Sequence, residues 1–195
     1  MGRYLVRLTR AIFISALGFG GGVGLLLMIC IITIHNGPNK FHMAIQSGLG
    51  LGIVFGFLLG IILIMLDVSA RMYFAKGQYN EVWELEQTRE VTMNGSSKEV
   101  LAVCREALLA VPYVKSVRED AENLVANATT GTSWRSAGES MEVEINPVAE
   151  NEWLVKCTSK PGKSNIVFDY GKNFENVESW YATVKSAKKK AESSS

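Results

Sequence analysis

Two long apolar runs occupy the first third of the chain. Residues 11–34 and residues 43–66 are each 24 residues long and contain no charged side chain. A helix of that length rises roughly 36 Å at about 1.5 Å per residue, enough to cross a hydrocarbon layer of about 30 Å. A secretory signal peptide is the competing interpretation of the first run, but its apolar region is only about 7–15 residues long. The pattern predicts two transmembrane helices, residues 11–34 and 43–66, joined by an outer turn at residues 35–42.

Small residues recur every four positions inside these runs. Residues four apart share one face of a helix, and in lipid helices associate mainly where small residues let their backbones approach closely. The general abundance of glycine in membrane helices is the alternative explanation. The spacing predicts a helix-packing interface, a glycine zipper, with the other span or with another copy of the chain. Its predicted positions are Gly48, Gly52, Gly56 and Gly60 in the second run, and Ala16, Gly20 and Gly24 in the first.

The basic residues around the two runs predict their orientation. Three arginines lie in the N-terminal segment 1–10, one lysine lies in the turn, and two basic residues follow the second run. Positive charge favours the cytoplasmic side, so both termini are expected in the cytoplasm. A C-terminal domain outside the cytoplasm is the alternative orientation.

Beyond residue 66 the pattern becomes that of a small folded domain. Residues 67–89 are mixed and polar, and we interpret them as a juxtamembrane connector. Ser96 and Glu99 form the sequence pattern of a capping box that begins an amphipathic helix. Residues 90–187 are predicted to form the domain, and residues 188–195 a disordered basic tail.

Alternating patterns predict an antiparallel sheet in this domain. A strand at 90–93 precedes the capped helix, and a closing helix spans about 173–188. Five strand-like segments lie between the two helices, at 113–119, 124–130, 139–146, 152–159 and 165–169. The predicted order is β-α-β-β-β-β-β-α, an α+β domain whose helices cover one face of an antiparallel sheet.

The segment "MEVEI" alternates most clearly. It predicts Met141, Val143 and Ile145 on the core face. Glu142 and Glu144 are predicted on the outer face. Pairing it with "WLVKC" places Ile145 opposite Trp153 and Glu142 opposite Lys156, a favourable cross-strand charge pair.

Charge and residue types exclude several classes of function. The whole chain has a net charge of +1, but from residue 67 onward 16 basic residues face 19 acidic ones, so no nucleic-acid-binding surface is predicted. No histidine follows His42, so Cys104 and Cys157 lack the partner that an activated cysteine uses and are expected to be buried thiols. The sequence predicts no catalytic residue, no metal ligand and no cofactor.

One polar cluster lies at a predicted strand–helix junction, formed by Asp169, Gly171 and Asn173. Its expected role is to cap the last helix and close the preceding turn. The segments "WRSAGESMEVEI" and "FDYGKNFENV" resemble uncharacterised bacterial membrane-anchored domains that end in an Asp-x-Gly-x-Asn junction. This resemblance implies that the membrane is a bacterial inner membrane, that is, a plasma membrane. The order of helix, sheet and closing helix over residues 90–187 resembles a reduced START or Bet v 1-like domain. That resemblance implies a possible apolar ligand.

Three hypotheses follow from the sequence. The first is a non-enzymatic integral membrane protein whose hairpin packs with other membrane subunits or with copies of itself, and whose cytoplasmic domain binds a partner or acts as a sensor. The second is a homo-oligomeric, glycine-packed channel or pore. The third is a membrane-anchored protein that binds an apolar ligand such as a lipid.

Overall fold

A computed structural model describes residues 2–75, 82–164 and 166–194. The chain divides into two compact units, Met1–Ser69 and Ala70–Ser195. The first unit is a pair of long apolar helices, and the second is an α+β domain.

The first unit begins with helix α1 (Gly2–Ser15), which passes through a π-helical turn (Ala16–Gly20) into helix α2 (Gly21–Ile34). Helix α3 (Lys40–Ala75) follows a short turn. Two helical stretches, Tyr4–Ile34 and Lys40–Tyr73, are long and apolar enough to span a membrane.

Both helices exceed the predicted spans. Helix α1 begins at Gly2, so it includes most of the predicted N-terminal segment 1–10. Helix α3 continues nine residues past residue 66 into the predicted connector. Residues 3–10 and 67–75 contain no proline or glycine that would end either helix. Residues 76–81 of the predicted connector lie outside the described residues.

The second unit contains one five-stranded antiparallel sheet. Its strands are β1 (Gln87–Asn94), β2 (Val114–Asp120), β3 (Val125–Thr130), β4 (Glu139–Ala149) and β5 (Glu152–Pro161). Their order across the sheet is β1-β5-β4-β3-β2. Helices α4 (Ser97–Leu109) and α5 (Lys172–Ser194) share a single hydrophobic core with one face of the sheet. The α+β class predicted from the sequence is confirmed.

The prediction of a sixth strand at 165–169 is wrong: residues 166–169 form no strand. Strand β5 lies inside the sheet with β1 on one side and β4 on the other, so a strand that follows it closely finds no free edge beside it. Tyr170 and Gly171 also adopt positive φ angles of 45° and 72°, which end any extended segment.

The β4–β5 register differs from the predicted one by two residues. Ile145 pairs with Val155 instead of Trp153, and Lys156 lies opposite Glu144, with Nζ and Oε2 4.0 Å apart. Strand β4 runs three residues further toward the connection than expected, to Ala149, and Asn151 accommodates the tight turn with φ 57°. Because side chains alternate with a period of two, a shift of two leaves every side chain on its predicted face.

The two helices of the second unit have well-defined ends. The capping box at Ser96 and Glu99 is present, and it lowers the pKa of Glu99 because Ser96 donates to its carboxylate. Helix α5 continues to Ser194, where a disordered tail was predicted from residue 188. Lysine, alanine and glutamate are good helix formers, and Lys188 Nζ donates to the carbonyl of Thr92 at 2.9 Å.

Candidate functional site

The predicted packing positions of the first unit lie against the backbone of the facing helix. A methyl group added to Gly56 would lie 2.6 Å from Cα of Ala16, and one added to Gly24 would lie 2.6 Å from the carbonyl oxygen of Gly48. At Gly60 the nearest atom is Cα of Ile12, at 3.1 Å. The remaining positions behave in the same way: Gly20 faces Gly52 and Gly56, Gly48 faces Gly24 and Met28, and Gly52 faces Gly20 and Gly24.

A second set of glycines in the same helices faces open space. A methyl group on any of them would meet no atom within 4 Å; they are Gly18, Gly21, Gly22 and Gly50. An apolar groove of about 350 Å³ is lined by residues of both helices, among them Leu17, Leu25, Leu49 and Ile53. Of the outward glycines Gly21 lines this groove, together with the inward Gly20, Gly24 and Gly48. The sequence pattern did not separate these outward glycines from the inward ones.

The open ends of the hairpin are joined by a buried hydrogen bond. Tyr4 of α1 donates its hydroxyl to Oδ2 of Asp67 in α3 at 3.1 Å, and both residues are buried. The sequence analysis placed Asp67 in a polar connector and assigned no role to Tyr4.

The predicted junction cluster is part of a second, larger polar site in the second unit. Asp169 lies just before α5, and its carboxylate accepts from the backbone N–H groups of Gly171 and Asn173, at 3.3 and 3.1 Å. It also accepts from Nδ2 of Asn173 at 2.9 Å. The guanidinium of Arg71, near the end of α3, lies 2.5 Å from Oδ1 of Asp169. Both side chains are almost fully buried.

From Asn173 the hydrogen bonds continue between α5 and the sheet. Ser159 of β5 donates to Oδ1 of Asn173 at 2.7 Å, and Asn176 donates to Ser159 Oγ at 3.4 Å. The Asn176 side chain also interacts with the carboxyl group of Glu139 on β4. Thr130 of β3 donates to that carboxyl group and accepts from the Glu139 backbone N–H. We call the connected set Arg71, Asp169, Asn173, Ser159, Asn176, Glu139 and Thr130 the buried polar network.

Burial controls the protonation of Glu139. Desolvation raises its pKa, against the opposing effects of the Thr130 hydrogen bond and the nearby charge of Lys172. Lys172 is itself fully buried, and its Nζ lies 3.2 Å from Oε2 of Glu175. Glu175 also pairs with Arg135, at 2.5 Å. Lys172 and Arg135 therefore share the carboxylate of Glu175 as their counter-charge.

The two cysteines of the domain are buried in the core. Burial raises the pKa of Cys104 to about 12, and burial together with Cys104 raises that of Cys157. Both are held as neutral thiols at physiological pH. Across residues 2–75, 82–164 and 166–194, no three histidine, cysteine, aspartate or glutamate side chains are grouped so that they could hold a metal ion.

Strand alternation contains a signal for part of the network that the sequence analysis did not use. Glu139, Ser159 and Thr130 each lie two residues from a core side chain on the same strand, so each falls on the core face. Polar residues on the core face of three neighbouring strands indicate a buried polar layer that the three strands share. No comparable signal marks Arg71, which lies 98 positions from Asp169.

Comparison with known proteins finds only distant similarity. No family model matches the chain, and no curated protein matches it in sequence. Among solved structures, TTHA0849 from Thermus thermophilus aligns over 52% of this chain and 98% of its own length, at 14% identity and a TM-score of 0.33. The di-domain ARO/CYC StfQ from the steffimycin biosynthetic pathway aligns over 81% of this chain and 63% of its own, at 10% identity and a TM-score of 0.27. The START/Bet v 1-like resemblance therefore has only distant support, and neither alignment carries an argument about function.

Proposed function

We propose that this protein is a non-enzymatic subunit of a membrane assembly. Its hairpin packs internally through the inward glycines, and its outer face packs against another membrane helix. Its second unit binds a partner or acts as a sensor on the cytoplasmic side. The observation that carries the proposal is the outward set of glycines, which no residue of the hairpin covers.

Outward glycines need an explanation of their own. Glycine is less favourable than alanine inside a helix, and the hairpin itself makes no use of the space at Gly18 and Gly22. These two residues are four apart and so share one helix face. In a lipid environment a smooth face gains stability only where another helix approaches it closely. A neighbouring helix packed against the face that carries Gly18 and Gly22 supplies that contact.

The charged groups of the second unit support a non-catalytic role. Arg71 and Asp169 are buried against each other, and the buried Lys172 pairs with the half-buried Glu175. An enzyme needs a reactive group within reach of substrate, whereas these side chains hold one another inside the fold. The basic N-terminal segment supports the orientation with both termini in the cytoplasm.

Purification in mild detergent followed by native mass measurement tests the proposal. We expect a mass above that of a monomer, and Gly22→Leu is expected to reduce it. Gly56→Leu is expected to reach the membrane fraction normally, because leucine favours insertion, but to lose hairpin packing or assembly. Leu58→Ala, at a position 54% exposed, is the matched control and is expected to have a smaller effect.

The same measurement separates the competing functions. A monomer without any partner contradicts the proposal. A closed homo-oligomer that conducts ions in reconstituted bilayers favours a pore, and a retained lipid mass on a monomer favours a ligand-binding protein.

A further inference from the structure

A groove at the turn end of the hairpin is lined by side chains that can bind a soft metal ion. It has a volume of about 260 Å³ and lies between the end of α2 and the start of α3. A thiol, an imidazole and a thioether line it, together with two isoleucines. Its lining residues are Cys30, Ile31, Ile34, His35 and Met43.

The turn brings these donors together from both helices. Helix α2 ends at Ile34, and the extended backbone of His35, with φ −90° and ψ 122°, leads the chain into the turn. A methyl group added to Gly37 would lie 2.7 Å from Nε2 of His35, so glycine leaves room for the imidazole against the turn. Met43 follows in α3. The three donors follow no familiar ligand spacing along the chain, and the sequence analysis predicted no metal ligand.

All three donors are accessible. Cys30 is exposed, whereas Cys104 and Cys157 are buried in the core of the second unit. His35 is also exposed, and Met43 is 43% exposed. Among the described residues, no hydrogen bond or ion pair engages the thiol, the imidazole or the thioether of this groove. Each donor therefore has lone pairs available to a ligand.

The combination of donors selects copper. Thiolate and thioether are soft ligands that suit Cu(I), and imidazole suits copper as well, whereas Mg²⁺, Ca²⁺ and Mn²⁺ prefer oxygen ligands. Zinc is bound by thiolate, imidazole and carboxylate groups rather than by thioethers. None of the described residues that line the groove carries a carboxylate. Cu(I) with one thiolate and two neutral donors also has no net charge, which lowers the cost of placing it beside two isoleucines.

We propose that the turn end of the hairpin binds one Cu(I) ion through Cys30 Sγ, the His35 imidazole and Met43 Sδ. On binding, the Cys30 thiol releases its proton to water and its sulfur forms a bond to copper. The imidazole and the thioether each donate a lone pair, and copper stays in the Cu(I) state. Because a proton is released, binding tightens as pH rises. The site lies within one chain, so it goes beyond the proposed function and does not depend on assembly.

Competition with a chromophoric Cu(I) chelator tests the proposal. The full chain, purified in mild detergent with its thiols reduced, is titrated under nitrogen with Cu(I) buffered by bicinchoninate. We expect one Cu(I) per chain. Cys30→Ser, His35→Asn and Met43→Leu each remove one donor. Loss of a mere outer-shell partner already weakens metal binding by about 10–100-fold, so we expect each variant to lose at least about tenfold in affinity.

Matched controls repeat two of these changes elsewhere in the same unit. His42→Asn removes the other histidine of the chain. Met65→Leu changes a methionine of α3 that is 63% exposed and lies outside the groove. We expect both controls to bind Cu(I) as the unmodified protein does. All the changed side chains are exposed, so we expect every variant to keep its helical content in circular dichroism.

Three outcomes overturn the proposal. An unmodified chain that takes no Cu(I) from bicinchoninate has no such site. Unchanged binding by Cys30→Ser means that another thiol, Cys104 or Cys157, holds the ion. A loss in His42→Asn or Met65→Leu as large as in its matched variant means that histidines or methionines bind copper without a defined site.

Discussion

A series of alanine substitutions tests how closely the two helices of the first unit approach. The series is Gly56→Ala, Gly60→Ala and Gly22→Ala, each of which adds one methyl group. Carbon atoms in contact normally lie about 3.5–4.0 Å apart. The added methyl would lie 2.6 Å from a backbone carbon at Gly56 and 3.1 Å at Gly60, and it meets nothing within 4 Å at Gly22.

The expected losses follow from these distances. Gly56→Ala requires the helices to separate by about 1 Å, and Gly60→Ala by about half as much. Inserting a methyl group into a well-packed interface typically costs about 1–3 kcal/mol. A separation of 0.5–1 Å also forfeits about a quarter to a half of each dispersion contact along the opened interface. We therefore expect about 2–3 kcal/mol for Gly56→Ala, about 1 kcal/mol for Gly60→Ala, and nearly no change for Gly22→Ala.

Reversible unfolding in bicelles by titration with sodium dodecyl sulfate measures these free energies. High dilution keeps association out of the measurement, so that only hairpin packing contributes. We expect the loss of unfolding free energy to be smallest for Gly22→Ala, larger for Gly60→Ala and largest for Gly56→Ala. Equal stability of the three variants would show that close backbone approach at Gly56 does not hold the helices together.

Three further predictions concern the second unit. Asp169→Asn leaves the Arg71 guanidinium buried without its counter-charge, so we expect the free energy of unfolding of the full chain to fall by about 3–5 kcal/mol in chemical denaturation. The control Asp120→Asn changes an exposed carboxylate and should cost far less. Burial raises the pKa of Glu139 above 4.5, so the stability that this group contributes is complete below that pH and is lost as pH rises through the folded-state value. The Tm of Glu139→Gln minus that of the unmodified protein should therefore increase as pH rises from about 5 to 8 in scanning fluorimetry. A difference that stays constant with pH would count against a raised pKa. Because burial raises the pKa of Cys104 to about 12 and also raises that of Cys157, we expect mass spectrometry to find both thiols unmodified by maleimide at neutral pH until the chain is denatured.

Features that depend on neighbouring residues were predictable from the sequence. The capping box at Ser96 and Glu99 needs only a side chain and a backbone group three positions apart, and it is present. The alternation of Met141, Val143 and Ile145 correctly identified the core face of β4, and all three are buried. In each case the physical cause lies within one helix turn or one strand, so the local pattern contains the necessary information.

Features that depend on pairing between distant segments were predicted less well. The β4–β5 register was wrong by two residues, because alternation determines the face of a strand but not its position along its neighbour. The sixth strand was wrong because the sheet order leaves no edge beside β5. The packing role of the glycine positions stays a prediction, since the spacing alone does not distinguish Gly56, which faces Ala16, from Gly22, which faces open space.

The buried polar network accounts for why α5 lies at one position on the sheet. The first turns of α5 carry Asn173 and Asn176, which meet polar groups on β5 and β4, while Trp180 and Val184 further along lie in the apolar core. Sliding the helix by one turn, about 5.4 Å, would bring apolar side chains against Ser159 and the neighbouring Glu139 carboxyl. Each buried polar group left without a partner costs about 1–3 kcal/mol. With an entirely apolar helix face, the observed placement of α5 and the placement shifted by one turn would differ far less in free energy, because apolar contacts are not directional. The network therefore contributes specificity of position more than net stability, and through Asp169 it also includes Arg71.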